Sequence, residues 1–180
     1  MYRYKDVRLR KFKFEDIPLK IKWVNNVANN QYLHYDLPLE YEKTCKWFES
    51  VKDKEDRFDA VIECDGKPVG LIGILKIDKK NKKGEDYILV DASAKGKGIA
   101  TKAGILNMAY AFFVLELNKL CGYVEVGNMA SVRQAQKRGG HIEGYLRADA
   151  YRDGKPIDNY AVGYYRENFS LPSEVYWEND

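Results

Sequence analysis

Residues 84–101 read GEDYILVDASAKGKGIAT. Asp86 to Val90 is a run of strand formers, and beyond it Ile99, Ala103, Leu106, Tyr110, Phe113 and Leu117 recur at the three- and four-residue steps of a helix. Between the two, Lys95-Gly96-Lys97-Gly98-Ile99-Ala100 supplies two glycines, which let a backbone approach a ligand closely. The N–H groups opening a helix lack intrahelical partners and sit at its positive end, so this junction suits an anion and a nucleotide-like cofactor is expected. An ordinary turn with solvated lysines reads the same way in isolation. Two other phosphate loops are excluded: the four-residue gap and Lys-Ser/Thr ending of a Walker loop are missing, and no third glycine completes a dinucleotide fingerprint.

Outward from this junction the chain orders itself. Phe58 to Cys64 and Val69 to Ile77 are strand-like and meet at Asp65-Gly66-Lys67, a hairpin signal, and Asp86 to Val90 follows as the third strand of a meander. Leu120 to Val126 is a strand reached through the long helix, which makes it parallel to Asp86–Val90. Asn128 to Lys137 is helical and ends at Gly139-Gly140, and Ile142–Tyr151 pairs with Pro156–Tyr165 across Arg152-Asp153-Gly154-Lys155. Upstream, Val7 to Arg10 alternates as a strand. Asp16 caps a helix carrying Ile21, Trp23 and Val24, residues 25–39 form a loop, and a second helix over Glu40 to Val51 bears Tyr41, Cys45 and Phe48 on one face. The expected fold class is α/β, an α+β arrangement with a mixed sheet. Residues 1–169 form one domain, and residues 170–180 a loosely held tail.

Composition narrows the function. Thirty basic against 27 acidic residues, a net charge of +3, do not announce a nucleic-acid partner, and Lys79-Lys80-Asn81-Lys82-Lys83 reads as a solvated turn between strands. Cys45, Cys64 and Cys121 are odd in number and widely spaced, so neither a disulfide framework nor a zinc site is suggested and a cytoplasmic setting fits. A signal peptide and a run of about 18 apolar residues are both missing, so no membrane partner is expected. His34 and His141 have no ligand spacing around them, and no metal is expected.

The element order and the loop together resemble the GNAT acyl-CoA-dependent N-acetyltransferases, in particular the subgroup of ribosomal-protein N-terminal and spermidine acetyltransferases. Lys95 to Ala100 meets that family's Gln/Arg-x-x-Gly-x-Gly/Ala signature with Lys in first place. Arg57 to Gly70, RFDAVIECDGKPVG, resembles the matching hairpin of spermidine acetyltransferases, and Asn128, Gly139 and Glu143-Gly144 meet the family's C-terminal pattern. The resemblance implies a GNAT-like fold, a central, mostly antiparallel mixed sheet with helices on both faces. It also implies acetyl-CoA as co-substrate, with its pyrophosphate on backbone N–H groups of Gly96, Gly98, Ile99, Ala100 and Thr101. Lys95 and Lys97 would be counter-charges, and pantetheine would lie between splayed strands against Ile88, Leu89 and Val90, with Asn128 opposite.

The reaction so implied is direct attack of a primary amine on the thioester within a ternary complex. Only about one alkylamine in 2,500 is neutral at pH 7, so a proton acceptor is useful. Glu85 is the first choice for it; the plainer reading is a surface carboxylate balancing Lys82 and Lys83, and Asp86 faces the other side of a regular strand. The sequence departs from the family at Ala135, where relatives carry a tyrosine that protonates the leaving thiolate; Tyr87, Tyr110 and His141 are the substitutes on offer. Gly140 replaces the phenylalanine of Gly-Phe. Trp23, Tyr32, Tyr35 and Trp47 either line the acceptor pocket or pack the core. The acceptor is a polyamine met by Asp36, Glu40 and Glu42, an amino sugar, or a protein N-terminus. A non-catalytic acyl-CoA-binding module is the alternative, and self-association into a homo-oligomer is left open.

Overall fold

The computed structural model describes residues 1–33 and 35–178; His34 lies outside the described residues. The chain begins with β1 (Tyr2–Tyr4) and β2 (Val7–Lys11), then α1 (Ile17–Asn25), α2 (Val27–Asn30) and α3 (Tyr41–Val51). The meander is β3 (Phe58–Cys64), β4 (Lys67–Asp78) and β5 (Lys83–Val90). Helix α4 (Ile99–Ala109) crosses to β6 (Lys119–Glu125), and α5 (Met129–Lys137) leads to β7 (His141–Arg152), β8 (Lys155–Tyr165) and β9 (Val175–Trp177). One sheet holds all these strands in the order β7-β8-β6-β5-β4-β3-β2-β1-β9. Every neighbouring pair is antiparallel except β5 and β6, because α4 returns the chain to the same end of the sheet.

Both faces are covered, so the central strands are apolar on both sides and their residues alternate between two cores. Ala60, Ile62, Ile72, Ile74 and Val90 pack with Leu106 and Phe112 from the α4 side. Val61, Leu71 and Leu89 pack with Ile17, Trp23 and Val24 of α1, while Trp47 and Phe48 of α3 close over the same cluster.

Three expectations are corrected. The long helix does not run unbroken to Leu117: after Ala109 a π-helical turn, Tyr110–Val114, widens the coil. The widening slips the helical face, so Phe112 is fully buried and Phe113, expected in the apolar stripe, is 42% exposed. Residues beyond 170 are not a loose tail throughout, since Val175–Trp177 pairs with β1 and the Trp177 ring packs edge-on against Tyr2 at 4.9 Å. Asp16 stands at the N-cap of α1 without capping it; its carboxylate accepts from Lys13 N at 2.9 Å and from Arg10 at 2.7 and 2.8 Å, tying the helix entry to β2.

Candidate active site

The parallel pairing of β5 with β6 is brief: Lys83 faces Lys119, Gly84 faces Leu120, Glu85 faces Cys121, and there it ends. Beyond that point β5 stays on β4 as far as Val90 opposite Gly70, and β6 stays on β8 as far as Glu125 opposite Asn159, so the two strands part from each other. Each then presents a rim of main-chain groups without a partner strand, which a ligand with its own amides can satisfy. A cavity of about 1310 Å³ fills the gap and reaches both faces of the sheet.

At one end of this cavity stands the N-terminus of α4. Gly98, in the left-handed region at φ +73°, turns the chain into the helix, and no side chain caps it. The first-turn N–H groups therefore point at whatever occupies the cavity, with the helix dipole behind them. Helix α5 is docked on this turn by Gln134 Nε2, which donates to Ala100 O at 2.9 Å, and it adds Arg133 and Lys137 to the lining. Ile88, Leu89, Val90, Lys95, Gly96, Gly98, Ile99, Ala100, Thr101 and Asn128 all line the cavity, whereas Lys97 is exposed outside it. Lys95 is no mobile counter-charge, because its Nζ donates to Ala28 O at 3.0 Å and ties the loop to α2. Asn128 Oδ1 accepts from Ser131 N at 3.1 Å and so caps α5.

On the α4 side the cavity meets a buried network. Arg138 Nη2 donates to Asp86 Oδ2 at 2.9 Å and to the Tyr164 hydroxyl at 2.7 Å, and Asn107 Nδ2 holds Asp86 Oδ1 at 2.7 Å. Gly104, costly in a helix, has its explanation here, since a Cβ would lie 2.1 Å from Arg138 Cδ. Gly140 is explained likewise: a Cβ would meet Tyr164 Cε1 at 2.7 Å and Ala135 O at 2.8 Å, so the Tyr164 ring fills the space beside Ala135. Burial pushes the Tyr164 hydroxyl up to about 12 against the pull of Arg138. Arg138 Nε and Nη1 are buried without a partner among the described residues.

The α1 side is different. Glu85 is ion-paired with Lys76 at 2.8 Å rather than with Lys82 or Lys83. Tyr87, on the same strand face, donates to Asp59 at 2.6 Å, and Arg57 grips the same carboxylate at 2.6 and 2.9 Å. Burial, reinforced by the Asp59 charge, raises the Tyr87 hydroxyl well above its usual range. Lys20 of α1 lines this wall with its Nζ 4.1 Å from the Trp47 ring centre and 5.2 Å from that of Tyr35. Burial lowers its ammonium to about 8.

The other expectations divide by position. Tyr32, Tyr35 and Trp47 line the cavity, but Trp23 is 2% exposed in the core. Tyr110 stacks on Phe58 at 4.2 Å and His141 sits beside Tyr165 on the outermost strand, so neither reaches the cavity. Asp36, Glu40 and Glu42 are exposed away from it, and Glu40 pairs with Lys43. Lys20, Arg138 and Tyr164 were not legible as site residues. A lysine on an apolar helix stripe and an arginine at a helix end were the only local signals, and both patterns are common on surfaces. Among the described residues one cluster of three ligating side chains occurs, Asp6, Cys64 and Asp65, on the surface with Lys102 on Asp6. Among the described residues no helix is long and apolar enough to cross a membrane.

Residues 6–141 match the family model of the acetyltransferase (GNAT) domain. The spermidine N(1)-acetyltransferase of Escherichia coli (strain K12) is 30% identical over 151 residues, 83% of this chain and 80% of that protein. The crystal structure of spermidine N-acetyltransferase from Vibrio cholerae in complex with CoA and spermine superposes with a TM-score of 0.82 at 19% identity, over 91% of this chain and 97% of the other. A dodecameric structure of the Vibrio cholerae spermidine N-acetyltransferase superposes with a TM-score of 0.79, also at 19% identity, over 91% and 95%.

Proposed function

This chain belongs to the GNAT acetyltransferases and is an acetyl-CoA-dependent N-acetyltransferase of primary amines; from that premise we propose how its own residues carry the reaction. The observation that carries the reading is the early end of the β5–β6 ladder at Glu85 and Cys121, with the α4 N-terminus opening into the same gap. The fit to acetyl-CoA is chemical: open strand rims match the amides of pantetheine, and the uncapped first turn of α4 with Arg133 and Lys137 matches its phosphates. Once bound, the co-substrate supplies a thioester open to a neutral amine.

Glu85, ion-paired with Lys76 and placed on β5 facing the α1 side, takes the proton from the incoming ammonium. Tyr87 is a positioning residue, since its hydroxyl is committed to Asp59. Tyr164 does the work that Ala135 cannot. Its oxygen accepts from Arg138, so its proton is left to be given to the leaving thiolate. The residues from 1 to 169, joined by the strand Val175–Trp177 on β1, act as one catalytic domain, and the dodecameric relative makes self-association of this chain a property to measure by sedimentation. The test of the activity is thiol release from acetyl-CoA across polyamines, amino sugars, amino acids and N-terminal peptides. Acetylated amine in step with free thiol is expected, and no thiol with any acceptor overturns the reading.

A further inference from the structure

The two strongest cations on the α1 side of the cavity are not alike. Arg57 is fully engaged by Asp59 through two short hydrogen bonds. Lys20 is 5% exposed, and among the described residues no carboxylate pairs with it. Its closest polar contact is the Tyr35 hydroxyl at 3.5 Å, it lies against the faces of Trp47 and Tyr35, and the nearby Asp59 carboxylate, which acts on it through space, is already held by Arg57 and Tyr87. An ammonium with three donors in a box of two aromatic rings, opening on the cavity, is held out of water without the hydrogen bonds that would compensate it.

The acidic side chains of the cavity wall show the opposite condition. Glu85 holds Lys76, Asp86 holds Arg138, Glu125 takes Arg152 at two points of 2.8 Å, and Asp149 accepts from Asn159 at 2.9 Å. A polyamine entering here would bring two or more ammonium groups, find Glu85, Asp86 and Glu125 already ion-paired and only the exposed Asp149 without a cation, and meet Lys20 as a like charge. A ligand with an oxyanion would complete the unfilled donors of Lys20 and add a charge-assisted hydrogen bond in a poorly solvated place.

We propose that Lys20 receives an oxyanion carried by the acceptor, so that this enzyme acetylates a small amine bearing a carboxylate or a phosphate in preference to a polyamine. The inference rests on the acetyl-transfer reading above and narrows its acceptor. The relatives named for spermidine share the fold, and on this proposal the α1 wall is where this chain sets its own specificity.

Thiol-release kinetics on pairs of amines matched in length test it: an ω-amino acid or an amino-sugar phosphate against the uncharged alkylamine or free amino sugar, with spermidine alongside. The anionic member of a pair is expected to exceed its neutral match at least tenfold in kcat/KM. Lys20→Met should bring that ratio to about 1 through KM, and Lys20→Arg should restore part of it. A preference for the carboxylates alone or the phosphates alone identifies the source of the oxyanion. Spermidine outrunning every anionic amine, or a ratio that survives Lys20→Met, overturns the proposal. Equal losses on charged and neutral amines also overturn it, because they would make Lys20 a proton carrier rather than a receptor. Calorimetric titration of the same amines into CoA-loaded protein separates the two readings. Absence of turnover counts against acetyl transfer, whereas binding that ignores both the anion and Lys20 counts against this inference.

Discussion

The two walls of the cavity handle charge in opposite ways. On the α4 side Asp86, Arg138, Asn107 and Tyr164 form a network in which the ion pair is 4% and 3% exposed and each charge has its counter-charge in the protein, while Arg138 Nε and Nη1 and Asn107 Oδ1 have no partner among the described residues. On the α1 side Lys20 is almost as deeply buried and has no such partner. A buried charge with its counter-charge in place holds one geometry, and a buried cation without one costs stability until something arrives to pair with it. On the reading proposed above, the first wall belongs to the frame that positions the thioester and the second to recognition of what attacks it.

Arg138→Ala tests the frame and should have the largest effect. It leaves Asp86 buried without its counter-charge, at a cost of about 3–5 kcal/mol in urea unfolding, and a loss under 1 kcal/mol would show that Asp86 does not depend on this pairing. Next is Glu85→Gln, which should lower kcat about 100-fold while calorimetric acetyl-CoA affinity is retained. A parallel fall in cofactor affinity would remove Glu85 from the base role.

Lys20→Met should act with the opposite sign on stability. The folded-state pKa of Lys20 is depressed to about 8, so between about pH 8 and 10.5 the unfolded chain binds more protons than the folded one. Folding stability therefore rises with pH across that window in the parent, and below pH 8 the full cost is present. Removing the charge should stabilise the protein at pH 7 by roughly 2 kcal/mol, the cost of desolvation less what the aromatic contacts return, and should erase the difference between pH 7 and 10 that is due to this group. A variant less stable than the parent at pH 7 would mean that Lys20 is already satisfied. The smallest effect is expected from Tyr164→Phe, a loss of about tenfold in kcat that is relieved with a thioester of a more acidic thiol. If the loss does not depend on the leaving group, Tyr164 serves only to hold Arg138.

Much of this was legible along the chain, because it is written at short range. The strand, the glycine-lysine turn and the helix of residues 84–101, the Asp65-Gly66 hairpin and the closing hairpin across Asp153-Gly154 all depend on neighbours within a few positions. The cofactor half of the cavity inherits that legibility, since backbone N–H groups at a helix start need only the turn that exposes them. Gly140, a departure from the family's Gly-Phe, and Gly104 proved to be spaces kept for Tyr164 and Arg138.

The acceptor half was legible only in its aromatic lining and in Glu85 and Tyr87, not in its pairing of charges, and the reason is physical. Whether an ionisable side chain is a solvated surface group or a functional one depends on burial and on the charges around it, and here those come from remote segments. Lys20, Trp47, Arg57 and Tyr87 meet only because α1, α3, β3 and β5 pack on one face, as Asp86, Asn107, Arg138 and Tyr164 meet only on the other. Alternation and turn chemistry thus set the fold class and the anion-binding junction. Packing alone settled which charges were paired, and so which one was left for a ligand.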